Sequence, residues 1–138
     1  FIGCAAVADY RPANPSAEKI KRSVADARLE LEACPDILVS VAESAAPPFT
    51  VGFAAETNEL REHALAKLER KGIDMICANE VGEGLAFDQE TNALHVFWRG
   101  GEQTLPNAAK ILLAESLIEL ITERYRNARN AGQSSRAG

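Results

Sequence analysis

"FTVGFAAETNELREHALAKLERKGIDMICANE", residues 49–80, is the stretch on which the fold turns. Phe49 to Ala55 is a short apolar run without helical spacing, which suits a strand buried on both faces. The period then changes. From Asn58 to Arg70, Leu60, Ala64 and Leu68 recur on one helical face, and Gly72 supplies a stop that tolerates left-handed backbone. Ile73 to Ala78 is a second buried strand. Strand, helix and strand in this order form the parallel β-α-β unit.

Working outward, Phe1 to Ala8 reads as a further strand of the same buried kind. Tyr10 to Arg28 has neither period and carries Pro12, Asn14, Pro15 and Ser16, so it is expected as a long loop or arm. Lys19, Lys21 and Arg22 put cations on that arm. Arg28 to Glu32 alternates and suits a short, half-exposed strand. After Cys34, Pro35 fits the first turn of a helix and Asp36 complements its dipole, with Ile37, Leu38 and Val41 as the buried stripe. That helix stops before Pro47-Pro48. Downstream, Ala93–Trp98 and Glu102–Leu105 flank Arg99-Gly100-Gly101 in a hairpin pattern. Ile111, Leu112, Leu117, Leu120 and Ile121 stripe a long helix that should end near Arg126. The predicted fold is α/β: a Rossmann-like, doubly wound, mostly parallel sheet with an antiparallel hairpin extension and a long C-terminal helix. Residues 1–126 form one domain; the tail 127–138, rich in Asn, Arg, Gly and Ser, is expected to be disordered. The chain opens inside a strand-like run without methionine, so we expect a piece of a longer protein.

Composition narrows the function. At 138 residues, 46% hydrophobic and 25% charged, the chain can bury one ordinary core. A net charge of −5 argues against nucleic acid as a partner, so any anion site has to be built locally. No apolar run approaches the ~20 residues of a membrane span, and no export signal is evident, so a cytoplasmic location is expected. Cys4, Cys34 and Cys77 are odd in number and lack C-x-x-C spacing, as reduced thiols would be. No dinucleotide fingerprint, P-loop, H-E-x-x-H or nucleophile elbow occurs. In open α/β sheets ligands bind beyond the carboxyl ends of the strands. That rim should collect Asp9 with the basic arm, Glu56-Thr57-Asn58, and Asn79-Glu80-Val81.

"GCAAVADYRP" with "EKIK", then "PDIL", "VGFAAET", "KLERKGID", "ICANE", "TNAL" and "ESLIELITERY" together resemble the phosphopantothenoylcysteine synthetase domain of bacterial coenzyme A biosynthesis proteins. The likeness runs in register from Gly3 to Tyr125. It implies a ligase that joins 4′-phosphopantothenate to L-cysteine with CTP and Mg²⁺, through an acyl-cytidylate. It implies a homodimer formed partly by Ala8, Asp9, Tyr10, Arg11 and Pro12. It also implies a fused flavin-dependent decarboxylase, whose FMN would belong to that partner and not to these residues.

The resemblance assigns nucleotide contacts to Gly3, Cys4, Ala5 and Asp9, to Pro35, Asp36, Ile37 and Leu38, and to Phe53, Lys67 and Lys71. Lys19 matches the flap lysine of the family and is the expected catalytic cation, a lid group that stabilises charge on the transferring phosphate. Asn79 is a further rim candidate. The residues alone also allow plainer roles: lysines near a helix C-terminus favour its dipole, Pro35-Asp36 is ordinary helix punctuation, and Phe53 suits a core. Cys34 stands where the family commonly has asparagine, and the glycine-rich first turn and early substrate-binding asparagine of the family would lie upstream of Phe1. A non-catalytic nucleotide-binding or dimerisation fragment, or the same ligation driven by ATP, are the alternatives. Metal ligands are not identifiable from sequence.

Overall fold

The computed structural model describes residues 1–19, 28–81 and 90–134. Lys21 and Arg22 of the basic arm lie outside the described residues.

The decisive stretch folds as its periodicity predicts. Strand β4 (Val51–Glu56), helix α2 (Leu60–Lys71) and strand β5 (Met75–Glu80) form a β-α-β unit, with β4 and β5 parallel in continuous register from Val51↔Met75 to Glu56↔Glu80. Gly72 ends α2 at φ 62°, in the left-handed region that a side chain would resist. Beyond the unit come β6 (Thr91–Trp98) and β7 (Gly101–Ala109), an antiparallel hairpin whose turn places Gly100 at φ 86°. β6 pairs antiparallel with β5. With β1 (Ile2–Gly3) parallel to β4, the sheet order is β1-β4-β5-β6-β7.

Helices cover both faces of this sheet. Helix α3 (Lys110–Ser134) lays Leu113, Leu117 and Leu120 on one face against Met75, Cys77 and Val96. On the opposite face Ala64 and Leu68 of α2 pack with Ile76, Ala78 and Phe97, and Leu38 and Ala42 of the short helix α1 (Ile37–Ala42) join them. Alternate residues of β5 serve the two cores, which is why the strand reads as a continuous apolar run. Burial of each of these leucines contributes about 1.5–3 kcal/mol before chain entropy is subtracted. Among the described residues, no helix is long and apolar enough to cross a membrane.

Four details differ from expectation. The first strand is only Ile2–Gly3, and Phe1 and Ile2 are 48% and 42% exposed rather than buried. Among the described residues only β4 pairs with β1. Tyr10–Pro12, expected as loop, is strand β2; it pairs with β3 (Leu31–Ala33), the short strand expected nearby at Arg28–Glu32. Arg11 and Glu32 stand in register there and form a 2.6 Å ion pair. Ile37 of α1 is 48% exposed rather than part of a buried stripe, and that helix has no fully buried residue.

Finally, α3 continues past Arg126 to Ser134, through much of the expected disordered tail. Ala, Arg and Gln there are good helix formers, and the Arg129 guanidinium lies 5.7 Å from the Tyr125 ring centroid one turn earlier. Residues 135–138 lie outside the described chain.

Candidate functional site

A cavity of about 440 Å³ opens at the carboxyl end of β1. One wall is the chain from Gly3 through Cys4 and Ala5 to Ala8 and Asp9, much of it small side chains that leave the backbone accessible. The facing wall is the turn from Cys34 and Pro35 through Asp36 and Ile37 to Leu38. Phe53 of β4 and Lys71 of the last turn of α2 complete it. The backbone of Cys34 ties the two walls together, its N–H donating to the Asp9 carbonyl at 2.8 Å.

Gly3 lines the cavity. Gly3 and Gly52 stand side by side in the β1–β4 register. A Cβ on Gly3 would lie 2.9 Å from Leu38 Cδ2, and one on Gly52 would lie 2.9 Å from Ile73 Cδ1 and 3.1 Å from Leu38 Cδ1. Without either methyl, Leu38 seats directly on the sheet, bringing the start of α1 down beside β1.

Asp36 and Lys71 set the polarity. Asp36 caps α1, its Oδ1 accepting from the Val39 N–H at 3.3 Å, while Oδ2 accepts from Lys71 Nζ at 2.7 Å. Burial alone would lift the Asp36 carboxyl. The Lys71 hydrogen bond, the Val39 amide, the Lys71 charge and the Leu38 amide outweigh it and hold the group below its ordinary value. The side chain of Lys71 is only 20% exposed, so its ammonium is held by Asp36 at the cavity wall.

Of the residues expected to contact nucleotide, Lys19 and Lys67 are the two that do not line this cavity. Lys19 is exposed in the segment after β2. Lys67 shares a helix face with Lys71, but its Nζ donates to Glu56 Oε1 at 2.6 Å, at the carboxyl end of β4. The neighbouring lysines of α2 are thus held by carboxylates of different elements. Tyr10, Arg11 and Pro12 lie in β2, outside the cavity lining, and Tyr10 is exposed. Asn79 stands opposite Ala55 in the β4–β5 register and also lies outside the lining.

Glu56 is the residue that sequence reading placed on the rim without giving it a task. It is only 8% exposed, and its second oxygen lies 3.4 Å from His63 Nδ1. The signal was available: Glu56 follows Gly52 and Ala54 in strand alternation, so it must face α2. Among the described residues no group of three or more His, Cys, Asp or Glu could hold a metal ion on its own. Cys77, in the α3-side core, has its thiol pushed up to about 12 by burial and is chemically inert there.

Comparison with known proteins agrees with this architecture. The family model of the DNA/pantothenate metabolism flavoprotein C-terminal domain matches residues 1–125. The chain is 48% identical over 126 residues to the coenzyme A biosynthesis bifunctional protein CoaBC of Haemophilus influenzae, covering 91% of this chain and 32% of that protein. It is 45% identical over 130 residues to the protein of the same name from Escherichia coli strain K12, with 91% and 32% covered. The crystal structure of the C-terminal domain of a coenzyme A biosynthesis bifunctional protein CoaBC superposes with a TM-score of 0.68 at 30% identity, covering 91% of this chain and 56% of that one. The chain therefore spans about a third of the length of these curated relatives. A match over residues 1–125 leads to one conclusion: the chain belongs to the family of DNA/pantothenate metabolism flavoprotein C-terminal domains.

Proposed function

We propose that this chain is the C-terminal part of a ligase domain that joins 4′-phosphopantothenate to L-cysteine at the expense of CTP. A carboxylate is a poor acceptor for an amine because its negative charge and resonance deactivate the carbon. Activation therefore precedes ligation. A carboxylate oxygen of phosphopantothenate attacks the α-phosphorus of CTP, and the bond to the β-phosphate breaks with loss of pyrophosphate. The cysteine amine then attacks the acyl carbon, CMP leaves, and the amine proton is released.

One observation carries this reading. Residues 3–5, Asp9, 35–38, Phe53 and Lys71, singled out by separate motifs, converge on a single cavity. Its apolar walls and accessible backbone suit a nucleoside, and Lys71 brings a cation to it. Lys67 serves the phosphates from the neighbouring strand end. Lys19 closes from the arm when the anions are in place, because a group that must move onto the transferring phosphate cannot be fixed in the core. Mg²⁺, which commonly binds through one or two carboxylates together with substrate phosphates, would find Asp9 in the cavity and would supply charge neutralisation. The coenzyme A biosynthesis relatives are bifunctional, so we place a fused decarboxylase with its FMN outside this chain. A homodimer built partly on residues 8–12 completes the proposal.

Pyrophosphate release by the full-length protein, measured with phosphopantothenate and cysteine, tests it. CTP should support release and ATP should not, and Lys19→Gln should lose most turnover while keeping its fold. Faster release with ATP than with CTP would overturn the nucleotide assignment. No release with either nucleotide would overturn the ligase reading itself.

A further inference from the structure

Glu56 is a buried carboxylate that the steps above do not use. It ends β4 on the face turned toward α2, and its carboxylate meets two groups of that helix: Lys67 Nζ at 2.6 Å and His63 Nδ1 at 3.4 Å. Glu80, its register partner on β5, is exposed and adds negative charge beside it. The pair is half-buried, with the Lys67 side chain 36% exposed, and solvent screening leaves such a pair little to add to stability. What such a pair does provide is a fixed position for a long, rotamer-rich side chain. Lys67 is held at the rim end of β4. Lys71, one turn away, is held in the same manner by Asp36 at the cavity wall.

We propose that Glu56 is a positioning residue for Lys67, fixing its ammonium at the carboxyl end of β4 so that the phosphates of the bound nucleotide meet an ordered cation. This rests on the ligase reading given above. Glu56 acts through Lys67 and does not itself touch nucleotide. Its removal should therefore act only while Lys67 is present.

Calorimetric titration of the full-length protein with CTP tests this in a double-mutant cycle. Glu56→Gln should weaken CTP binding about tenfold, a change of about 1.4 kcal/mol. Lys67→Met should weaken it at least as much. The double variant should bind no more weakly than Lys67→Met alone. Wild-type affinity in Glu56→Gln, or losses that multiply in the double variant, would overturn the assignment.

The exchanged pair Glu56→Lys/Lys67→Glu guards against a purely structural effect, because it restores opposite charges between β4 and α2 while presenting a carboxylate in place of the ammonium. It should fold and still bind CTP at least about tenfold more weakly than wild type. Wild-type affinity in that variant would reduce Glu56 to a structural partner. Failure of the wild-type protein to bind CTP is a separate result, and it removes the ligase reading together with this one.

Discussion

Replacing Asp36 separates the two tasks of one carboxylate. Asp36→Ala removes the side-chain acceptor for the Val39 N–H, and loss of such a cap costs about 1 kcal/mol. Helix α1 has six residues, none of them fully buried, so little packing compensates. The substitution also breaks the pair with Lys71. With side chains 42% and 20% exposed, that pair is screened by solvent and contributes about 0.5 kcal/mol. The sum, about 1.5 kcal/mol, should lower the thermal midpoint by about 5 °C in a chain of this size. Asp36→Asn keeps a good cap and loses only the charge, so its midpoint should fall by about 2 °C. Thermal unfolding followed by circular dichroism at neutral pH reads both. Equal losses in the two variants would show that the cap contributes nothing, and an unchanged midpoint in Asp36→Ala would refute the whole apportionment.

The same group predicts the sign of an acid effect. Its carboxyl lies below 3.8 in the folded chain, so its stabilisation is complete above that value and is lost as pH falls through the folded pKa. An acid titration of the midpoint should be shallower for Asp36→Asn than for wild type, and superimposable curves would contradict this. A thiol reagent at mildly alkaline pH should label exposed Cys4 promptly and buried Cys77 only on unfolding; comparable native rates would show that the α3-side core is not closed. Leu117→Ala, in the seam that holds α3 to the sheet, should cost about 2–5 kcal/mol by urea unfolding, whereas Ile118→Ala on the exposed side should stay within about 0.5 kcal/mol. Equal losses would place the seam on the wrong face of the helix.

Legibility followed the range of the interactions. The β4-α2-β5 unit was readable because Leu60, Ala64 and Leu68 announce a helix locally and Gly72 announces its end. Arg99-Gly100 announced the hairpin in the same way, through a turn that needs positive φ. The β2–β3 ladder has no comparable local signal. It is three residues long on each side and depends on Tyr10 meeting Ala33 across the intervening arm. The Phe1–Ala8 run predicted burial from composition, but exposure is decided by which neighbours flank a strand, and among the described residues β1 pairs with β4 alone. At the cavity, residues singled out by separate motifs meet in one recess. The detention of Lys67 by Glu56 was not legible, because helical spacing fixes which lysines share a face and leaves open which carboxylate each will reach.

The paired glycines beneath Leu38 have a consequence for how the recess could be tuned. The seat of Leu38 on the sheet follows from two omitted methyl groups and the charge at the wall from Asp36 and Lys71, so steric bulk and electrostatics are separable there. Alanine at position 3 would press its methyl on the end of Leu38 and displace that side chain from its seat, while Asp36 and Lys71 keep their charges.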